Sequence, residues 1–168
     1  MRCFAIIFLF SILICSCKNS EHFAAKSLKL TMKKDTMIAK PCIDYTLNIE
    51  PNGKTLVTKD CFSPEASQTY ENQLNENQIK EIIREVGNSD FFSFENDYGF
   101  ESKNCSSIST DSPTVTLTIN LDGKEKTIKH YYGCEVNKWF SRENALQPLF
   151  DLENKIDEIV GTKQWIGK

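Results

Sequence analysis

The chain has 168 residues, 40% of them hydrophobic and 26% charged, with eleven phenylalanines; this supports one folded domain and excludes disorder throughout. Its formal net charge of −3 comes without a basic stripe, so nucleic acid is not an expected partner. Seven cysteines in a chain of this size point to an oxidising compartment.

Met1 and Arg2 form a minimal positive start, and residues 4–14 are apolar except for Ser11. A run of about 11 residues is too short to span a bilayer, which takes about 20, and fits the hydrophobic segment of a secretory signal. The run closes on Ile14-Cys15-Ser16-Cys17, with an apolar residue three before the second cysteine and a small one just before it. This pattern resembles a bacterial lipobox. The resemblance implies cleavage ahead of Cys17, diacylglycerol on its thiol and acylation of the new amine, palmitate being the expected acyl group. Cys15 is the rival lipid site, but bulky Ile14 precedes it. Two or three acyl chains hold a protein on a membrane essentially permanently. The expected organisation is a signal peptide over 1–16, a lipidated cysteine and flexible tether over 17–26, and a single α+β domain over 27–168. The expected location is the cell membrane or outer membrane, with the domain in the periplasm or on the cell surface. His22 falls in the tether and reads as solvated.

Residues 27–32 alternate apolar and polar and predict an edge strand. Ile43, Tyr45, Leu47 and Ile49 alternate with polar residues and predict a half-buried strand. Pro51-Asn52-Gly53 is a hairpin signal, followed by a return strand over 54–60. Asn75 as N-cap and Gln78 three residues later form a capping box, with Leu74 and Ile79 at staple positions. Ile79, Ile82, Ile83 and Val86 then make one apolar stripe, predicting a helix over 76–86 closed by a left-handed Gly87. Phe91, Phe92 and Phe94 read as a core plug at the helix exit. Residues 95–112 read as a long polar loop carrying Cys105; its Glu95-Asn96-Asp97 and Gly99 lack the alternating ligands of a calcium loop.

Val115, Leu117, Ile119 and Leu121 alternate with polar residues in the cleanest strand pattern of the chain. Asp122-Gly123 marks a tight turn, and residues 124–132 return as the partner strand. A second irregular loop, 133–141, holds Cys134 and Trp139. Leu149, Leu152, Ile156 and Ile159 define a last helix with Pro148 in its first turn and Gly161 at its end, and the acids from Asp151 to Glu158 read as its solvated face. Trp165 and Ile166 are expected to fold back onto the core. The predicted fold is an α+β antiparallel sheet of four to five strands with two helices on one face, in the order β-β-β-α-β-β-α.

Four cysteines remain beyond residue 17, and four allow three connectivities. Reflection about Asn52-Gly53 brings Cys42 opposite residues 61–63, within bridging reach of Cys61. Reflection about Asp122-Gly123 brings Cys134 opposite Asp111, and the long loop can carry Cys105 back to it. The expected disulfides are therefore Cys42–Cys61 and Cys105–Cys134. A zinc site is the rival, but there is no Cys-x-x-Cys pair and the spacings are wide.

Catalytic signals are sparse. His130, in Lys129-His130-Tyr131-Tyr132, is the sole histidine outside the tether, and a lone strand histidine is more often a packing or hydrogen-bonding residue than a catalyst. There is no nucleophile elbow, phosphate loop or His-Glu-x-x-His sequence. No metal or cofactor is expected.

The segments together resemble a family of bacterial secreted and lipid-anchored proteins known as a domain of unknown function. The resemblance runs from about residue 27 to 167. It is carried by Pro41-Cys42-Ile43-Asp44-Tyr45, the Asn-Gly hairpin, Gln78-Ile79-Lys80-Glu81-Ile82-Ile83, Asp90-Phe91-Phe92, Tyr98 and Asp111-Ser112-Pro113. It continues through Gly123-Lys124-Glu125-Lys126-Thr127-Ile128 and Leu152-Glu153-Asn154-Lys155-Ile156-Asp157 to Gly161-Thr162 and Trp165-Ile166. A second cysteine that the family usually carries upstream of the Cys42 position is absent here. The resemblance implies location and fold, and no mechanism.

The expectation is thus a non-catalytic, lipid-anchored module, a monomer that binds another envelope protein or a small ligand. The candidate binding surface is the irregular end of the sheet, with His130, Tyr131, Tyr132 and Trp139. The alternative is an envelope hydrolase using His130 as general base with Asp111 or Glu135; a third class is an inhibitor of a hydrolase.

Overall fold

The computed structural model describes residues 27–36, 43–59, 67–136 and 144–166. Among them the chain runs β1 (Leu28–Asp35), β2 (Tyr45–Ile49), β3 (Lys54–Lys59), β4 (Gln68–Gln73) and α1 (Glu76–Asn88). A 3₁₀ turn (Phe91–Ser93) leads to β5 (Asp97–Tyr98), β6 (Ser107–Ile108), β7 (Thr114–Leu121), β8 (Lys124–Tyr131) and β9 (Cys134–Glu135). Helices α2 (Gln147–Val160) and α3 (Lys163–Ile166) close the described chain.

Seven strands form one sheet in the order β4-β3-β2-β1-β7-β8-β5, and β6 and β9 form a separate two-stranded ribbon. Every neighbour in the large sheet is antiparallel except β5, which runs parallel to β8. This corrects the expected antiparallel sheet of four to five strands in the order β-β-β-α-β-β-α: the sheet is larger and mixed.

The reasons are physical. Strand β4 has a single aromatic, Tyr70, among polar residues because it is a sheet edge with little to bury, so it carries no apolar alternation. Strands β5, β6 and β9 have two residues each, too few for any period to register. The expected edge strand over 27–32 is instead the central strand, with β2 on one side and β7 on the other. Alternation reports which face is buried and says nothing about how many neighbours a strand has.

The register lines the buried residues up in rows across one face of the sheet. Val57, Leu47, Met32, Leu117 and Ile128 lie in one row, and Ile49, Leu30 and Ile119 in the next. Helices α1 and α2 pack against each other and bury Ile82, Ile83 and Val86 from α1 and Leu149, Leu152, Ile156 and Val160 from α2 in the same core. The other face is polar, with Thr31, Thr118 and Thr127 aligned across three strands.

The capping box at Asn75 forms as expected, with Gln78 N–H donating to Asn75 Oδ1 and Asn75 N–H to Gln78 Oε1, each at 3.0 Å. Helix α1 does not stop at a left-handed Gly87. It continues to Asn88, and Ser89, in right-handed conformation, caps it by donating its N–H to Glu85 O. Phe91 is fully buried, while Phe92 and Phe94 are partly buried against the core. Gly53 has φ +81°, and a Cβ there would stand 2.6 Å from the Leu74 carbonyl oxygen; the turn requires glycine for conformation and for space. At the far end, Gly161 (φ +77°) terminates α2, Ile166 is buried, and Trp165 stacks on Tyr70 of β4 with ring centroids 5.8 Å apart.

Candidate functional site

One register step beyond the apolar rows, the helix-covered face carries ionisable residues. Tyr45, Lys34, Val115 and His130 align across β2, β1, β7 and β8. Glu153 and Asp157, four residues apart and so on one face of α2, meet this row from above. His130 is 2% exposed and Glu153 1%, and His130 Nδ1 lies 3.1 Å from both Glu153 carboxylate oxygens. Tyr132 hydrogen-bonds to the same carboxylate. Its ring packs on His130 and Phe150 and lies 5.2 Å below Lys34 Nζ. Lys34 also stands 3.9 Å from Asp157, whose Oδ1 accepts from the hydroxyls of Tyr45, at 2.5 Å, and Thr162, at 2.9 Å.

Burial dominates the electrostatics of this cluster. It pushes the Glu153 carboxyl above its ordinary range, against the opposing pull of His130, Tyr132 and Lys34. Asp157 is raised for the same reason, against Tyr45, Lys34, Thr162 and Lys163. The phenols of Tyr45 and Tyr132 are driven far up by burial and by the carboxylates they face. Among the described residues no buried side-chain nitrogen or oxygen lacks a partner, so the buried atoms of this network are all paired.

Two clefts flank the end of the sheet and share Thr36. The first, about 780 Å³, is lined by Lys34, Tyr45, Asp157, Thr162 and Ile166 on the helix side. The second, about 800 Å³, is lined by Thr36, Asp97, Phe100, Asp111, Lys129 and Tyr131. Lys129 and Tyr131 flank His130 in β8, so their side chains lie on the opposite sheet face. The wall of this second cleft is the segment between β5 and β7, and it is stapled: Cys105 and Cys134 are disulfide-bonded, with Cα atoms 5.3 Å apart. Tyr131 is buried and its hydroxyl accepts the Ser112 N–H at 3.2 Å. Phe100 meets Tyr131 edge-on at 5.3 Å yet is 52% exposed. Phe100 and Ile108, both on this segment, are the large hydrophobic residues left exposed among the described residues.

Gly133 sets how closely this wall approaches. A Cβ there would fall 2.1 Å from the Ser109 carbonyl oxygen and 2.6 Å from the Tyr131 ring. Gly133→Ala should therefore separate the ribbon from β8 and cost roughly 2 kcal/mol, within the range for overpacking, measured by denaturant unfolding. A loss below about 0.5 kcal/mol, ordinary for surface sites, would mean the wall adjusts freely.

The expected binding surface is thus divided between the faces. Tyr131 lies in the second cleft, whereas His130 and Tyr132 lie beneath α2. Trp139, Cys17 and the Cys42–Cys61 pair fall outside the described residues, whereas the Cys105–Cys134 bridge is present. His130 is paired with neither Asp111 nor Glu135. Asp111 Oδ2 accepts from the Thr110 hydroxyl at 3.3 Å, and Glu135 Oε2 from the Ser107 hydroxyl at 2.8 Å. Sequence reasoning had assigned Glu153 to the solvated face of the last helix. Its place in the apolar stripe, one residue after Leu152 and three before Ile156, is the signal that would have found it. Among the described residues no group of three or more histidine, cysteine or carboxylate side chains is placed to hold a metal, and no helix is long and apolar enough to cross a membrane.

A family model described as "Domain of unknown function (DUF6438)" matches residues 40–160. No curated protein matches the chain.

Proposed function

The chain belongs to the DUF6438 family, and from that premise we propose that it is a lipid-anchored cell-envelope domain whose role is to bind, without catalysis, at the cleft that Phe100 overhangs. The observation that carries the reading is this cleft of about 800 Å³, whose wall is stapled by Cys105–Cys134 and leaves a large aromatic ring half in water. A cavity of this volume matches the usual size of small-molecule sites. An aromatic held on a cross-linked wall makes a contact at low entropic cost. The anchor rests on the sequence ending in Cys17.

A binding role is favoured over hydrolysis by the setting of His130. A general base must reach the proton it removes, and this ring is buried, with one nitrogen committed to Glu153. The cavity beside it is about 160 Å³, smaller than sites for organic substrates.

The test uses the full chain made in a lipoprotein-processing bacterium fed alkyne-palmitate. Label on the wild type that is absent from Cys17→Ser supports the anchor; label retained by that variant removes it. The same wild-type protein, released from detergent micelles in a native mass spectrometer, should carry a bound mass that Phe100→Ala loses. Bound mass unaffected by Phe100→Ala would place any ligand elsewhere.

A further inference from the structure

We propose that the cleft beneath Phe100 takes a small organic cation with an apolar body. The inference rests on the binding reading of that cleft and gives it a ligand chemistry.

Charge balance in the cleft is uneven. Three carboxylates, Asp97, Glu101 and Asp111, line it with a single cation, Lys129. Lys129 stands beside Asp97, its register partner across β5 and β8. A Cβ placed on Gly99 would lie 2.9 Å from Asp97 Oδ1 and 3.3 Å from Lys129 Cε, so the lysine stem and this carboxylate crowd one spot. Asp97 Oδ1 also accepts the Gly99 N–H at 3.0 Å. Neither Glu101 nor Asp111 is ion-paired with another described residue. A cation entering the cleft meets three carboxylates against one lysine, whereas an anion would meet the same excess of negative charge.

The aromatic pair supplies the second half of the recognition. Phe100 is held edge-to-face on Tyr131 and half exposed, and Tyr131 is fixed by the Ser112 N–H. Ring faces attract ammonium and guanidinium groups and also cover the apolar body that carries them. The volume of about 800 Å³ accommodates a ring or a short alkyl chain beside the charge.

The test is an amide-shift titration of the full chain in detergent micelles with benzylamine, benzyl alcohol and benzoate, which share a ring and differ in charge. Benzylamine is expected to move the Gly99, Phe100 and Ser112 amides saturably, about tenfold more tightly than the other two, a modest share for close charge pairs. The double variant Glu101→Gln/Asp111→Asn should lose that advantage. Asparagine tolerates the φ of +60° that Asp111 adopts, so the turn is kept. Glu158→Gln, in the other cleft, should change nothing. Equal binding of benzoate or benzyl alcohol at the same amides overturns the charge assignment and leaves the binding reading standing. No movement of these amides with any of the three overturns both.

Discussion

Glu153→Ala should destabilise the fold by about 2–3 kcal/mol, the cost of leaving the buried hydrogen-bonding groups around it without their partner. The carboxylate is 1% exposed and holds His130 Nδ1 at 3.1 Å through both oxygens, while Tyr132 and Lys34 are also arranged around it. Denaturant unfolding of the full chain measures the loss, and a value under about 1 kcal/mol would show that water replaces the carboxylate. Glu153→Gln is the informative companion, because the amide keeps a hydrogen-bonding group beside His130 and removes the titration. Burial raises the folded-state pKa of Glu153 above its ordinary 4.5. Its contribution is therefore greatest at low pH and is lost as pH rises from about 4.5 through the raised value. The fall in stability with rising pH should be shallower in Glu153→Gln than in the wild type. Asp157, raised by burial in the same direction, preserves part of the slope. A slope identical to wild type would mean that Glu153 stays ionised across that range.

Removing the Cys105–Cys134 bridge is the other large expected effect. The two residues are 29 apart in sequence, and closing a loop of that length restricts the unfolded chain by about 3.5 kcal/mol on the chain-entropy account. Cys134 is fully buried in the core cluster, so Cys105→Ala/Cys134→Ala avoids burying a hydroxyl in its place. The double variant should lose stability by about that amount, with amide-exchange protection falling first at β6, β9 and the cleft wall. The β1–β7–β8 centre should keep its protection until global unfolding. A stability loss below about 1 kcal/mol would mean that the ribbon and the Gly133 contact hold the wall without the staple.

The legible part of this fold was where a period or a cap had room to show itself. Thr114 to Leu121 alternates over a full strand, Asn75 and Gln78 stand at capping-box spacing, and Gly161 follows the last stripe residue. Each is a local preference that the packed structure left in force. Strand β4 could not be read because Gln68–Gln73 sits at an edge and packs one side chain, Tyr70, on Trp165, and a single aromatic makes no alternation. The parallel β5 is two residues long, and its place beside β8 is decided by how the segment after Phe94 packs, a tertiary matter. The site was half visible for a related reason. Tyr131 and Tyr132 are adjacent in sequence, and at a strand end adjacency puts two rings on opposite sides of a sheet. Glu153 looked like one more solvated acid until the register placed His130 beneath it.

The placement of β1 at the centre of the sheet also has a mechanical consequence. The strand is entered at Leu28, from the side of the chain that leads back to Cys17, and it ends beside Thr36, where both clefts meet. Its eight residues put roughly 27 Å between those points. A domain held to a membrane at one end and pulled by its ligand at the other would carry that tension along β1. Hydrogen bonds to β2 and β7 run across the strand, so the pull would shear them together rather than peel them one by one. Such a domain should extend little and yield late under force, a property suited to a tether that must hold its ligand at a distance from the lipid.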